Sequence, residues 1–333
     1  MVSNWNETSV LIAGCGSIGK RHARVLRALG LKDLRACDPA PDQRDKLASE
    51  TPVRMFESYE RGLESKPDAV FVCTPPKMHI PMATQAIEAG AHVFCEKPLA
   101  FSSAGISDLG STAGRANRIL MTGLCFRYHD GLRKAKSLLE SGRFGRLVSI
   151  RCMMGENLPA VRPDYRTLFS SKYSGAFDLT HEVDLAVWFA ESPVRKVMCA
   201  AGSFSTIGIE APDVAEILIT FNAKCLASVH LDFFQLPRRR QTELICTAGV
   251  VMVEFASWDR CTVSVYEAGG DWQHETFPTA RDDMFRAEDR AFLNAITGAG
   301  PAECGIEDAR VSVEVIEQAM AAAGLEGPAA RET

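Results

Sequence analysis

The sequence predicts an α/β Rossmann domain followed by an α+β domain with an open-faced, mainly antiparallel sheet. Up to residue 123, short and continuously apolar runs alternate with helical patterns, which is typical of a parallel sheet covered by helices on both faces. From residue 124 onwards, strand-like runs follow one another with little helix between them, which indicates antiparallel pairing. We therefore expect two domains, 1–123 and 124–333, with the C-terminal helices free to pack back on the first domain.

The expected first domain alternates strands and helices. Its first helix ends at Leu29 and is closed by Gly30, a second runs over about 79–89 and is closed by Gly90, and a third follows Phe101. A glycine just past the last helical residue is a common stop signal. The expected strands of this domain are 10–13, 34–37, 70–73, 93–95 and 119–121.

The expected second domain consists of successive strands joined by short turns, such as 222–224. It ends in two helices at about 285–297 and 306–322. The expected strands are 147–154, 197–204, 214–221, 226–234, 243–247, 250–255 and 261–266.

Composition excludes several classes of function. The chain has 333 residues, 46% hydrophobic and 24% charged, as in an ordinary soluble globular protein. A formal net charge of -5 argues against a nucleic-acid partner, because such a surface must neutralise phosphates. The cysteines form no C-x-x-C pair, which fits reduced thiols rather than disulfides or a zinc site. No apolar run is long enough to span a membrane and the start, 1–8, is polar, so we expect a cytoplasmic protein without a metal ion.

The first motif is Gly14-Cys15-Gly16-Ser17-Ile18-Gly19, which follows a strand and opens a helix. Its glycines permit a tight turn, close approach of backbone to a pyrophosphate, and helix packing on the strand, while the helix N-terminus attracts the anion. Asp38 ends the second strand, nineteen residues beyond Gly19, where a ribose-binding carboxylate is expected. The combination predicts a dinucleotide site. Asp38 favours NAD because it repels a 2′-phosphate, although Arg35 or Arg44 nearby leaves NADP open.

The second motif is Cys95-Glu96-Lys97-Pro98, which ends another expected strand of the same sheet. Ligands of such sheets lie outside the carboxyl ends of the strands, so Lys97 should face the reactive end of the nucleotide. An ammonium there can stabilise an alkoxide that forms as a hydroxyl loses its proton. This placement indicates redox chemistry, whereas most lysines are solvated surface groups.

Four stretches occur in a fixed order and spacing over most of the chain. They are Gly14-Cys15-Gly16-Ser17-Ile18-Gly19, Cys73-Thr74-Pro75-Pro76-Lys77-Met78-His79, Glu96-Lys97-Pro98-Leu99-Ala100 and Asp178-Leu179-Thr180-His181-Glu182-Val183-Asp184. Together with the final helices, this set resembles the glucose-fructose oxidoreductase / inositol dehydrogenase (Gfo/Idh/MocA) family. The resemblance implies a bound nicotinamide cofactor and oxidation or reduction of a hydroxyl-bearing carbon on a sugar or cyclitol.

The resemblance also assigns roles around the cofactor. It implies that Thr74, Pro75 and His79 line the cofactor, that Glu96 orients the ribose and nicotinamide, and that Lys97 contacts the reacting hydroxyl. From its spacing alone, Thr74-Pro75 is a turn that stops a strand and His79 a surface or capping residue.

A second catalytic cluster is expected around His181. The run 180–189 indicates a buried helix with Asp178 or Thr180 near its N-terminus and His181 in its first turn, where spacing alone equally allows a core or capping histidine. A neutral imidazole can accept the substrate proton, with Lys97 assisting and Asp178 orienting these groups or binding a neighbouring hydroxyl. The family usually has three residues, often including Gly, between this Asp and His. This chain has only Leu179 and Thr180 there, similar to a subgroup from sugar-nucleotide and polysaccharide pathways.

Candidate substrate contacts surround this cluster. The resemblance points to Arg127, and a polar segment supplies donors and flat walls suited to sugars or, alternatively, forms an exposed loop. That segment contains Arg162, Asp164, Tyr165, Arg166 and Tyr173. The basic run Arg238-Arg239-Arg240 could hold a phosphate or nucleotide diphosphate, or be a solvated strand edge, as charge runs usually are.

We therefore expect an NAD(P)-dependent oxidoreductase acting on a sugar, nucleotide sugar or cyclitol. One alternative is a hydrolase in which NAD transiently oxidises a sugar so that its glycosidic bond breaks by elimination. Another is a nucleotide-binding regulator without turnover. Because the open face of an antiparallel sheet usually must be covered, we also expect a homodimer or homotetramer that packs through the second domain.

Overall fold

The structure, a computed structural model, describes residues 5–168 and 175–325. They divide into two compact units. The first comprises the chain up to Cys125 together with Asp282–Arg310, and the second comprises Phe126–Arg281 together with the chain from Val311. The expected boundary at 123/124 lies next to the first division point, but Asp282–Arg310, which we had assigned to the second domain, belongs to the first unit. The physical reason is burial, because Asp289 in this stretch is fully buried and ion-paired to His22.

A parallel sheet forms the core of the first unit. Its strands are β1 (Ser9–Ala13), β2 (Asp33–Cys37), β3 (Arg54–Phe56), β4 (Ala69–Val72), β5 (His92–Cys95) and β6 (Leu120–Thr122). They pair in the order β3-β2-β1-β4-β5-β6, which is the order of the doubly wound dinucleotide-binding fold. Because β1 and β4 are buried along their whole length, their sequences are continuously apolar. The predicted Rossmann domain is confirmed.

Helices connect these strands. They are α1 (Ser17–Ala28), α2 (Pro41–Glu50), α3 (Tyr59–Glu64), α4 (His79–Glu88) and α5 (Ile106–Arg115). Gly30 closes α1 with a φ of 93°, and the Leu31 amide donates back to the Leu26 carbonyl, as expected of a glycine C-terminal cap. Sequence analysis missed α2, β3 and α3. Within α2 only Leu47 is buried, so no apolar stripe marks that helix.

A mixed sheet forms the core of the second unit. Helices α6 (Asp130–Glu140), α7 (Leu158–Val161), α8 (Tyr165–Leu168) and α9 (Thr180–Ala190) accompany its strands. The strands are β7 (Leu147–Asn157), β8 (Val194–Gly202), β9 (Val214–Phe221), β10 (Leu226–Asp232), β11 (Phe234–Cys246), β12 (Gly249–Glu254), β13 (Arg260–Glu267) and β14 (Gln273–Pro278). The order is β14-β13-β12-β11-β7-β10-β9-β8, and the neighbours pair antiparallel apart from β7 with β10.

Helices cover one face of this sheet and leave the other open. Helix α9 packs on β7 and β10, and α6 packs on β12 and β13. In β9, Ile217 and Ile219 are fully buried, whereas Leu218 between them is 41% exposed on the opposite face. The predicted α+β domain with an open-faced, mainly antiparallel sheet is confirmed. The described part of the chain ends in α10 (Arg281–Ile296) and α11 (Ile306–Ala322), close to the two predicted helices.

Candidate functional site

The glycine loop between β1 and α1 has the local geometry that its sequence predicts. Gly14 has a φ of 99°, and a Cβ there would lie 2.6 Å from the Cys73 carbonyl oxygen. A Cβ on Gly19 would lie 1.9 Å from the Gly14 oxygen, so helix and loop require glycine for close packing. At Gly16, in contrast, a Cβ would meet no atom of the described chain within 4 Å. Gly16 therefore leaves open space at the N-terminus of α1, where backbone N–H groups can receive a pyrophosphate.

Asp38 lies beside this loop and joins it to the end of β2. One carboxylate oxygen accepts a hydrogen bond from the Cys15 amide and the other accepts one from the Ala40 amide, both at 2.8 Å. An ionised carboxylate has about four acceptor positions, so capacity remains for a ribose hydroxyl. Arg44 donates to the Asp38 carbonyl at 2.7 Å. Arg35 instead donates to the Asp33 carboxylate and to the Ser65 carbonyl. Of the two arginines that could admit NADP, Arg44 is the one beside the loop.

The His79 side chain lies within hydrogen-bond distance of two backbone carbonyls of the first unit. Its side chain is buried, with Nδ1 2.8 Å from the Pro98 carbonyl oxygen and Nε2 2.8 Å from the Thr74 carbonyl oxygen. Burial lowers the pKa of His79. The imidazole therefore joins the loop after β4 to the turn after β5. Pro75 is exposed and Thr74 half-buried, and contact of these residues with a cofactor stays a prediction.

Glu96 and Lys97 form the turn after β5. The Glu96 carboxylate is buried, its Oε1 lies 3.0 Å from His22 Nε2, and its Oε2 accepts a hydrogen bond from the Lys97 amide at 3.0 Å. Burial acts to raise the pKa of Glu96, but the hydrogen bond and charge of His22 outweigh it and lower that pKa. Lys97 itself is half-buried and follows the carboxyl end of β5 in the parallel sheet.

In the second unit, α9 presents His181 in its first turn. The imidazole stacks on Phe126 with ring centroids 4.3 Å apart. The Arg240 guanidinium lies 4.4 Å from the centroid of Phe126 and is ion-paired to Glu182 at 2.7 Å. A buried cation, an aromatic ring and the imidazole thus lie in succession, which fixes the orientation of His181. Asp178 ends a short 3-10 helix, Gly175–Asp178, just before α9 and is half-buried.

The basic run after β10 lies in β11, and its three arginines differ in exposure. Arg240 is 5% exposed and paired with Glu182, so it is not a solvated strand edge and has no free charge for a phosphate. Arg238 lies on the same face of β11, 4.8 Å from the Trp258 ring and 3.1 Å from Glu156. Alternation along the strand turns Arg239 outward. Arg240 is therefore not solvated, whereas Arg239 is exposed as expected of a solvated edge, and phosphate binding by the run stays a prediction.

Two expected substrate contacts have other partners in the structure. Arg127 is buried and bonds to both carboxylate oxygens of Asp184, at 3.0 and 2.7 Å. The Tyr165 hydroxyl donates to the Ile207 carbonyl at 2.7 Å, within a small apolar cluster. Substrate contact by Arg127 or Tyr165 stays a prediction that these bonds do not support. Tyr173 lies outside the described residues.

Sequence analysis missed His22, Glu288, Asp289 and the Glu182–Arg240 pair. His22 follows Gly19 by three residues, so both lie on one side of α1. This spacing is the one signal in the sequence that His22 is buried. The partners lie far away in sequence, and no spacing rule connects them. Among the described residues, no group of three His, Cys, Asp or Glu side chains is arranged to hold a metal ion.

The strand order, the glycine loop and the acid after β2 define the class of Rossmann proteins with a dinucleotide-type loop. The chain belongs to the Gfo/Idh/MocA family. The family model described as an oxidoreductase family with an NAD-binding Rossmann fold matches residues 8–124, and the GFO/IDH/MocA C-terminal domain matches residues 132–252. The resemblance predicted from the motifs is confirmed.

Curated relatives match part of the chain. It is 28% identical to the uncharacterized oxidoreductase YrbE of Bacillus subtilis over 228 residues, which is 66% of this chain and 65% of YrbE. It is 28% identical to the myo-inositol dehydrogenase Hyg17 of Streptomyces leeuwenhoekii over 63% of this chain and 62% of Hyg17. The matched regions thus span less than two thirds of these relatives.

Solved structures match nearly the whole chain. An oxidoreductase from Agrobacterium radiobacter, in complex with NAD+, L-tartaric acid and magnesium, has a TM-score of 0.84 at 18% identity and covers 96% of both chains. The WlbA dehydrogenase of Bordetella pertussis, in complex with NADH and UDP-GlcNAcA, has a TM-score of 0.80 at 20% identity over 95% of both chains. These likenesses establish the fold. Among the described helices, none combines the length and apolar character of a membrane-crossing segment.

Proposed function

We propose that this chain is an NAD(P)-dependent oxidoreductase that transfers a hydride between nicotinamide and a secondary alcohol or ketone of a sugar, nucleotide sugar or cyclitol. One observation carries the proposal. The open space at Gly16, the Asp38 carboxylate and the Lys97 turn all lie at the carboxyl ends of strands in one parallel sheet. The substrate class is supported by the relatives, since Hyg17 is named a myo-inositol dehydrogenase and WlbA was crystallised with a nucleotide sugar.

The described residues fit a dinucleotide. Gly16 and the amides that open α1 would hold the pyrophosphate, and Asp38 would accept hydrogen bonds from the ribose. The carboxylate repels a 2′-phosphate, so we propose NAD as the preferred cofactor, with NADP as the weaker one. When bound, the cofactor supplies or accepts the hydride.

This cofactor preference predicts the effect of one substitution. Asp38→Asn keeps an amide oxygen for the backbone but removes the charge, so the preference for NAD over NADP should narrow by about 10- to 100-fold, the range expected for a charged hydrogen bond. Fluorescence titration of the purified protein with each dinucleotide gives both dissociation constants. Asp42→Asn, an exposed change in the first turn of α2, is the control. An unchanged preference in Asp38→Asn would remove Asp38 from cofactor selection.

Two side chains would handle the proton of the reacting hydroxyl. The Lys97 ammonium would stabilise negative charge on the substrate oxygen, and the His181 imidazole would accept the proton. His181 suits this role because Phe126 holds its ring by stacking while the residue stays half-buried. Asp178, also half-buried and three residues before His181, would orient these groups or bind a neighbouring hydroxyl.

Accumulation of NADH tests the proposed function. The enzyme is incubated with NAD and a panel of cyclitols, sugars and nucleotide sugars, and the absorbance of NADH is followed. At least one compound should give NADH in proportion to substrate consumed. Cleavage of a glycoside without NADH accumulation would identify the hydrolase instead, and binding of NAD without any turnover would identify a regulator.

We propose a homodimer or homotetramer that packs through the open face of the second sheet. Met198, Leu218 and Leu226 leave 36 to 41% of their surface exposed there, and Met198 pairs directly with Leu218 across β8 and β9. Such a row of apolar side chains on a regular sheet suits a second copy of the same surface.

Sedimentation at micromolar concentration tests this assembly. The wild-type protein should give at least twice the mass of one chain, and Leu218→Asp should shift the measured mass towards that of the monomer. Val161→Asp on α7 is the control, and a wild-type monomer would contradict the proposal.

A further inference from the structure

We propose that two buried histidines of the first unit, His22 and His79, brace the Lys97 turn from both sides and thereby position Lys97. His22 acts through the Glu96 carboxylate, and His79 acts through the Pro98 carbonyl. They are positioning residues, because each acts through a neighbour of Lys97. The inference rests on the proposed function in one respect, namely that Lys97 takes part in the reaction.

The His22 side of the brace is a chain of three ionisable groups. His22 Nδ1 lies 2.8 Å from an Asp289 carboxylate oxygen, and His22 Nε2 lies 3.0 Å from Glu96 Oε1. An ionised carboxylate only accepts hydrogen bonds, so each ring nitrogen that faces one donates to it, and an imidazolium can donate to both neighbours at once. The second Glu96 oxygen accepts the Lys97 amide. A charge on α1 is thus linked through one carboxylate to the backbone of Lys97.

Packing leaves this chain little freedom. The His22 ring is fully buried among Phe71, Phe94 and Phe285, with centroid distances between 5.2 and 5.7 Å. On the other side of Glu96, a Cβ at Gly123 would lie 3.1 Å from the carboxylate, so this glycine allows the close approach.

The charges around His22 are consistent with an imidazolium. Burial acts to lower the pKa of His22, but the charge and hydrogen bond of Asp289, together with Glu96, raise it to about 10. Glu288 is fully buried, and neither of its oxygens has a hydrogen-bond partner among the described residues. Burial raises the pKa of Glu288 well above its usual value. Burial raises the pKa of Asp289 as well, and the positive charge of Lys97 helps to keep Glu96 ionised.

The neighbouring thiols add no charge to this cluster. Cys73 and Cys95, which face it from β4 and β5, are buried, and burial raises the pKa of both. The cluster thus consists of one imidazole ring between the carboxyl groups of Asp289 and Glu96, with the carboxyl group of Glu288 beside it.

The His79 side of the brace holds the other end of the turn. Its two ring nitrogens lie 2.8 Å from the carbonyl oxygens of Pro98 and Thr74. Carbonyl oxygens only accept, so a neutral ring donates to one of them and a protonated ring to both. With a proton on Nδ1, the ring donates to the Pro98 carbonyl and so ties Pro98, which follows Lys97, to the start of α4.

Hydrogen exchange of the Lys97 amide tests the brace without any turnover. That amide donates to Glu96 Oε2, so loosening Glu96 should expose it. In protein labelled with 15N-lysine, with the signal assigned from Lys97→Arg, His22→Gln should raise the exchange rate at Lys97 by about 10-fold or more, as for loss of a charged hydrogen bond. His92→Gln is the control, because His92 lies at the opposite end of β5, where its Nδ1 accepts a hydrogen bond from the Ile119 amide.

Steady-state kinetics test the consequence for the reaction. His22→Gln should lower kcat by about 100-fold, as for a misplaced catalytic group, with the dissociation constant for NAD unchanged, and His79→Gln should lower kcat by a similar factor. His92→Gln should match the wild type. If His22→Gln does not fold in a thermal melt, Asp289→Asn takes its place, because it weakens the anchor of His22 and leaves Glu96 intact.

The two readouts separate the brace from the proposed function. Wild-type exchange at Lys97 in both His22→Gln and Asp289→Asn would overturn the brace, whatever the activity. Faster exchange in a protein that never forms NADH would support the brace and refute the proposed function.

Discussion

Lys97→Ala is expected to lower kcat by about 10²- to 10⁴-fold, the usual contribution of a group that handles a proton in the transition state. The substitution removes the ammonium that would stabilise negative charge on the substrate oxygen. It keeps the Lys97 amide, which donates to Glu96, so the turn should retain its shape. The measurement is the rate of NADH formation at saturating NAD and substrate, together with the dissociation constant for NAD.

Two further variants make this result specific. Lys97→Arg keeps the positive charge but presents it in a planar fork, so it should recover only part of the rate. Lys46→Ala, an exposed change on α2, should leave kcat at the wild-type value. A rate within threefold of wild type in Lys97→Ala would exclude Lys97 from the reaction.

His181→Phe is expected to lower kcat by a similar factor of about 10²- to 10⁴-fold. In the wild type the His181 ring stacks on Phe126 with ring centroids 4.3 Å apart. Phenylalanine can keep this stack but cannot accept a proton. The substitution therefore separates proton transfer from packing. Loss of kcat with an unchanged melting temperature is the expected outcome.

The control for this variant is another histidine of the second unit. His274 lies on β14 and bonds to Ser264, and His274→Phe should leave kcat unchanged. Equal losses in the two variants would show that the effect of His181→Phe is a general consequence of a larger ring. An unchanged rate in His181→Phe would assign the proton to a different group.

Much of the fold could be predicted from the sequence. Buried parallel strands are continuously apolar, and a glycine, Gly30, marks the C-terminal end of α1. Three of the missed elements, α2, β3 and β14, lack these signals. Helix α2 buries only Leu47, β3 has three residues at the sheet edge, and β14 is mostly exposed. Local patterns report burial, and elements that bury little stay hidden.

The candidate site could be predicted where one short segment contains the chemistry. The glycine loop, Asp38 and the Lys97 turn are such segments, and the structure places all three at the carboxyl ends of the first sheet. His22 and Arg240 could not be predicted, because each depends on a partner more than fifty residues away in sequence. A buried ion pair leaves no local periodicity, so a charge run such as the one containing Arg240 was interpreted as solvated.

The most direct test of the central claim follows a labelled hydride. A substrate from the panel that gives NADH is prepared with deuterium on the carbon bearing the reacting hydroxyl and is incubated with enzyme and NAD. We predict that the NADH formed carries the deuterium and that Lys97→Ala and His181→Phe form it far more slowly. NADH without deuterium, or product formed with no NADH at all, would contradict the account.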